Sequence, residues 1–234
     1  HPLWTLSGFG DEIDPDPRVQ IAVLKAVGAR HIEVRSAWNA NISELSSHQL
    51  SELATLLKQE VMGVSALASP IGKVDVDADP EEEIARLKTV ITAAQTLETR
   101  YIRIFSFFRG DGVRVEDTRD TVLRRLRNLA SIAERENVIL LHENEKNIYG
   151  DTPERVADLV ESVGSPALRL AWDSANFVQV GVAHPHDEGY ALLRPYIDYL
   201  QVKDALLATG EVVPAGQGDG QVAVLRVDLN QGLL

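Results

Sequence analysis

Three stretches of this chain carry residue types that could do chemistry together. In Val138-Ile-Leu-Leu-His-Glu-Asn-Glu-Lys-Asn147, four apolar residues give way at once to six polar or charged ones. Ala171-Trp-Asp-Ser places Asp173 at the end of a second apolar run, and Leu200-Gln-Val-Lys-Asp places Gln201, Lys203 and Asp204 at the end of a third. Glu143, Asp173 and Lys203 follow one another at about 30 residues, the length of one strand-plus-helix unit. Two carboxylates with an amide oxygen suit a hard or borderline divalent cation, Mn²⁺ or Mg²⁺ first and Co²⁺ or Zn²⁺ next, with room left for substrate oxygens. Zero cysteines exclude a thiolate nucleophile, a disulfide framework and cysteine-ligated zinc. Taken singly, each residue also has a structural reading, Asp173 as a helix cap and Glu143 as the partner of Lys146 or Arg103.

Such groups converge only if the elements carrying them are parallel neighbours. An apolar run without polar alternation is a strand covered on both faces, as in a parallel sheet surrounded by helices. The pattern predicts strands over residues 3–9, 31–36, 61–67, 101–108, the opening stretch, 168–173 and 199–205. Helices are expected from Asp14-Pro-Asp-Pro to Gly28, over 46–60, from Asp79 to about Glu98, over 117–137, from Asp151 to Gly164, over 186–197 and over 222–230. Their starts carry capping residues, proline in the first turn and early acidic residues. Five arginines on the fourth helix, Arg119, Arg124, Arg125, Arg127 and Arg135, read as a solvated face. Glu211-Val-Val-Pro-Ala, flanked by glycines, reads as a small hairpin or loop over the site.

Strict alternation of strand and helix implies a parallel α/β architecture. Seven units are present, so the expected fold is a TIM (β/α)8-type barrel with seven strands in this chain and the eighth missing or supplied otherwise. The ends of β-strands in such a barrel face the active site. An open doubly wound sheet is the runner-up, but Ser7-Gly-Phe-Gly-Asp-Glu is acidic and lacks dinucleotide-binding spacing.

With 44% hydrophobic and 25% charged residues, the 234-residue chain is expected to form one domain over 1–234. A net charge of −12 argues against nucleic acid as a partner. No apolar run approaches the roughly 18 residues of a spanning helix, and His1-Pro-Leu-Trp resembles neither a signal nor a transit peptide, so the expected location is cytoplasmic and the expected partners exclude membranes. A single methionine, Met62, and none at position 1 suggest a trimmed amino terminus.

The segments Gly8-Phe-Gly-Asp-Glu-Ile, Ile32-Glu-Val-Arg, Leu141-His-Glu-Asn-Glu, Ala171-Trp-Asp-Ser-Ala-Asn, Leu200-Gln-Val-Lys-Asp and Pro214-Ala-Gly-Gln-Gly-Asp-Gly together resemble the sugar phosphate isomerase/epimerase family with the xylose-isomerase-like barrel. The resemblance implies a divalent metal held by a glutamate on strand five, an aspartate on strand six, a histidine on strand seven and a glutamate on strand eight. Glu143 and Asp173 match the first two. Gln201 stands where the histidine is expected, and no residue matches the last, which makes the domain C-terminally short by comparison. The implied reaction is proton abstraction next to a carbonyl of a sugar or sugar phosphate through an enediolate, giving isomerisation, epimerisation or a related dehydration. Glu143 would be the base, with Lys203 as an assisting group. Arg35 and Arg103 could bind a substrate hydroxyl, carboxylate or phosphate, or pair with nearby glutamates. Glu145 and Asn176 match positions that are often polar site residues in relatives, and Asp204 completes the substrate-binding set. A homo-oligomer is a further expectation. The alternative is a non-catalytic sugar-binding or regulatory barrel with a degraded metal site.

Overall fold

The structure, a computed structural model, describes residues 5–225. Seven parallel strands form one sheet: β1 (Ser7–Phe9), β2 (His31–Val34), β3 (Gly63–Ala68), β4 (Tyr101–Ile104), β5 (Ile139–Glu143), β6 (Leu168–Asp173) and β7 (Ile197–Gln201). They pair in chain order, each with the next, as in a TIM barrel. Among the described residues β1 and β7 are the two edges, and no eighth strand lies between them. The expected helix over 222–230 is helical at 222–225, and its remainder lies outside the described residues, as do Leu3 and Trp4 of the first expected strand.

Helices α1 (Pro17–Ala26), α2 (Ser47–Gln59), α3 (Pro80–Thr96), α4 (Arg119–Arg135) and α5 (Pro153–Val163) follow β1 to β5 in turn, one helix per strand. Their starts obey the sequence signals. Asp16, Ser46, Asp79 and Thr152 each accept a backbone N–H in the first turn, and Ser46 and Gln49 cap one another reciprocally. The main core lies between these helices and the outer face of the sheet, with Ile32, Leu67, Ile102, Ile104 and Leu140 fully buried in it. The opposite face is lined by Ala66, Leu141 and Ala171, and the two alanines are small enough to let the sheet curl. Tyr199 of β7 crosses that interior: its hydroxyl lies 2.8 Å from Ser65 Oγ on β3 and donates to Glu33 Oε2 on β2 at 2.9 Å. The seven strands therefore bend towards closure although their edges do not pair.

Several elements differ from expectation. The fourth strand stops at Ile104, since Phe107 adopts a φ of 70° and the following backbone bonds to the loop 71–74 instead. Asp173 starts a short helix, α6 (Ser174–Gln179), that the sequence reading missed. The segment expected as a helix over 186–197 is helical but irregular, wide-wound over His186–Tyr190, α-helical over Ala191–Leu193 and tightened to 3₁₀ over Arg194–Tyr196, and β7 begins at Ile197. The expected hairpin forms between Asp204–Ala205 and Val212–Val213. On α4 the arginine face is not uniformly solvated. Arg125 is 5% exposed and donates to the carbonyls of Asp75, Val76 and Ala78 while lying over the Phe107 ring, so it tethers the loop after β3.

That loop makes one close approach that only glycine permits. Gly72 has a φ of 84°, and a Cβ there would stand 2.1 Å from the Phe105 carbonyl oxygen. Gly72→Ala should lower unfolding stability by about 2–4 kcal/mol, measured by urea titration; an unchanged midpoint would show that the loop is not pinned here.

Candidate active site

Strand periodicity decides which side chains meet. Alternate residues share a face, so Arg103 on β4, Glu143 on β5, Asp173 on β6 and Gln201 on β7 all project to the barrel interior at the carboxyl ends of their strands, above Leu141, Ala171 and Tyr199. His142, one residue out of phase, packs on the outer side. It is wholly buried, with Nε2 2.8 Å from Ser106 Oγ.

Glu143 and Asp173 are 2% and 0% exposed and close enough for each to govern the other's titration. Lys203 Nζ lies 3.0 Å from Asp173 Oδ2 and 3.6 Å from Glu143 Oε1, and Arg103 Nη1 lies 3.2 Å from Glu143 Oε2. Burial by itself would raise both acids, but Arg103 and Lys203 hold the Glu143 carboxyl below its ordinary range. Asp173 is pushed up to about 7 by burial and by Glu143, against the pull of Lys203. Burial works against the Lys203 ammonium, yet the two carboxylates outweigh it and raise its pKa.

The neighbours of Asp173 fix it in place. Its Oδ1 accepts the Asn176 N–H, Asn144 Oδ1 and Nδ2 clasp the Asp173 backbone at 2.9 and 2.8 Å, and Asn176 Nδ2 donates to the Asn144 carbonyl. Asn176, expected at the substrate, thus serves as a clamp. Asp204, also expected there, is turned away: its buried carboxylate accepts N–H groups of Ala205, Gly216, Gly218 and Gly220 and folds the glycine-rich loop around itself. A side chain at Gly218 or Gly220 would strike its Oδ1, which accounts for glycine at both positions. Arg35 is at the rim, bound to Asp11 at 2.8 Å rather than to Glu33, and lies over the Phe9 ring. Glu145 faces Lys73 at 3.8 Å.

Four participants were not singled out by sequence. Lys73, in the loop after β3, is brought to the mouth by the Gly72 turn. Phe9 and Phe105 gather the cations, with Lys73 Nζ and Arg103 Cζ at 4.3 and 4.8 Å from the Phe105 ring centre. Glu33, 3% exposed, accepts from Gln201 Nε2 at both carboxylate oxygens, at 2.9 and 3.0 Å, besides the bond from the Tyr199 hydroxyl. A carboxylate accepts and does not donate, so this contact commits the Gln201 amide to present its carbonyl oxygen elsewhere. The alternation Glu33–Val34–Arg35 was the one available signal for it.

The residues fit a hard divalent cation. Glu143 Oε2 and Asp173 Oδ2 are buried without a hydrogen-bond partner, and Gln201 adds a neutral oxygen. Lys203 now supplies positive charge between the acids. Among the described residues no third acid or imidazole joins them, so this stretch offers two carboxylates and an amide.

The family model for the xylose isomerase-like TIM barrel matches residues 21–228. The chain belongs to that family. A curated relative, the 3-dehydroshikimate dehydratase of Bacillus anthracis, is 24% identical over 148 residues, covering 63% of this chain and 52% of that protein. The chain therefore spans about half the length of the curated relative it matches. Two solved structures share the fold: a D-tagatose 3-epimerase-like protein (TM-score 0.78, 16% identity, 97% of this chain and 86% of that one) and a xylose isomerase-like TIM barrel protein from Mycobacterium smegmatis in complex with magnesium (TM-score 0.73, 20% identity, 95% and 85%). No helix among the described residues is long and apolar enough to cross a membrane.

His142 supplies a check on the packing behind the site. Burial lowers its pKa to about 4. Folding thus disfavours its protonation, and the stability it contributes is present above its unfolded pKa and is lost as pH falls from about 6.5 towards 4. In an NMR titration its ring should stay neutral down to about pH 4; titration near 6.5 would mean that the ring is solvated.

Proposed function

We propose that this chain catalyses isomerisation or epimerisation of a sugar or sugar phosphate by moving a proton at the carbon next to a carbonyl group. The observation that carries this reading is the Glu143–Asp173 pair, buried at the barrel mouth with Glu143 held ionised by Arg103 and Lys203. An ionised, desolvated carboxylate beside two cations suits removal of a carbon-bound proton, because the negative charge that leaves the base reappears on a substrate oxygen within reach of those cations.

Glu143 takes the proton. Lys203, with three N–H donors and partial exposure, faces the oxygen on which charge develops. Arg103 keeps Glu143 from being protonated in the resting state. A divalent cation, Mn²⁺ or Mg²⁺ by donor type, would be held by Glu143, Asp173 and the Gln201 carbonyl oxygen, where it supplies Lewis-acid polarisation of substrate oxygens. Loss of a β-hydroxyl after the same proton removal gives a dehydration, the reaction in the curated relative's name. The magnesium in the M. smegmatis barrel and the epimerase-like neighbour support the reading by fold.

The test is solvent exchange. Ketoses and ketose phosphates incubated with the protein and Mn²⁺ in D₂O should gain deuterium next to the carbonyl, seen by NMR. Glu143→Gln, nearly isosteric, should slow exchange by about 10²-fold or more. Exchange that survives this substitution would assign the base elsewhere, and absence of exchange across the substrates would remove the proposed reaction.

A further inference from the structure

We propose that Lys73 and Arg103 form an anion subsite beside Phe105 at the barrel mouth, so that the substrate carries a carboxylate or phosphate group. The inference rests on the reading above in that the mouth receives a small carbonyl compound and a divalent cation on Glu143 and Asp173.

Four cations collect around two rings. Arg35 lies 4.5 Å from the Phe9 ring centre, with Arg103 and Lys203 each at 5.9 Å, and Arg103 and Lys73 share the Phe105 ring. Their counter-ions differ in closeness. Arg35 is tied to Asp11 at 2.8 Å, and Lys203 and Arg103 meet Asp173 and Glu143 at 3.0 and 3.2 Å. Lys73 stands 3.8 Å from Glu145, beyond hydrogen-bond length, with its side chain 38% exposed. Its three N–H donors are open to a ligand. Arg103 is 8% exposed in its side chain, and its Nε is buried with no hydrogen-bond partner.

The balance of charge decides what that ligand is. Lys73, Arg103 and Lys203 face Glu143, Asp173 and Glu145, and the buried Glu33 also acts on Arg103, so three cations meet four acids. A divalent cation on Glu143 and Asp173 would engage the counter-ions of Arg103 and Lys203, leaving three cations with Glu145 and Glu33, a surplus of one positive charge. An anionic group on the substrate restores neutrality where a neutral sugar leaves the surplus standing. The Lys73 pKa agrees: burial lowers it, and Arg103 and Lys203 lower it further, against Glu145 and Glu143. A carboxylate and a phosphate share the required chemistry, accepting hydrogen bonds from an ammonium and a guanidinium together.

Calorimetric titration of the whole chain with fructose, fructose 6-phosphate and gluconate, with Mn²⁺ present, tests this. At least one anion should bind about 10-fold or more tightly than fructose, with an affinity that falls as salt rises. Phosphate preference over carboxylate, or the reverse, identifies the source of the charge. Lys73→Met should remove most of that preference without changing fructose binding, and Lys73→Arg should restore it. Equal affinity for all three, or a preference unaltered by Lys73→Met, would overturn the proposal. Selective anion binding without any deuterium exchange would contradict the proposed reaction and leave the subsite standing.

Discussion

Two carboxylates buried side by side cannot both stay ionised without positive charge at hand, and most of what surrounds Glu143 and Asp173 follows from that constraint. Lys203 and Arg103 answer it directly. Removing one partner from a buried ion pair costs on the order of 3–5 kcal/mol, so the four side chains form a unit that resists piecemeal change. Its geometry is secured one layer out by Asn144 and Asn176, which hold the Asp173 backbone and each other, and by Glu33, which holds Gln201.

The barrel serves this cluster through simple strand geometry. Parallel strands in chain order bring residues about 30 positions apart to one rim, and a period of two separates the interior acids from the outward His142. Small residues at Ala66 and Ala171 allow curvature, and Tyr199 ties the last strand to the second and third across the interior. The mouth is completed by loops. Gly72 lets the chain after β3 fold against Phe105 and deliver Lys73, while Asp204 organises the 216–220 loop through its backbone N–H groups.

Much of this was legible in the sequence because it depends on local pattern. Apolar runs ending in Glu143, Asp173 and Gln201 gave parallel strands and their order, and the capping residues before α1, α2, α3 and α5 gave the helix starts. Less legible was what depends on contacts far apart in sequence. Nothing local says that Asp204 will be surrounded by glycine N–H groups 12 to 16 residues later, or that Arg125 will leave a row of surface arginines to bind carbonyls some 50 residues earlier. Lys73 was overlooked for the same reason, since its position depends on Gly72 passing close to Phe105. The period of two around Glu33 was visible, but its partner, Gln201, lies 168 residues away.

Manganese binding reports on the carboxylate pair most directly. Mn²⁺ added to the chain should lose its free-ion paramagnetic resonance signal with one ion bound per chain, and Asp173→Asn should weaken that binding about 10-fold or more. A wild-type chain that leaves the signal unchanged, or an Asp173→Asn variant that binds as tightly as the wild type, would contradict the assignment of Glu143 and Asp173 as a cation-accepting centre.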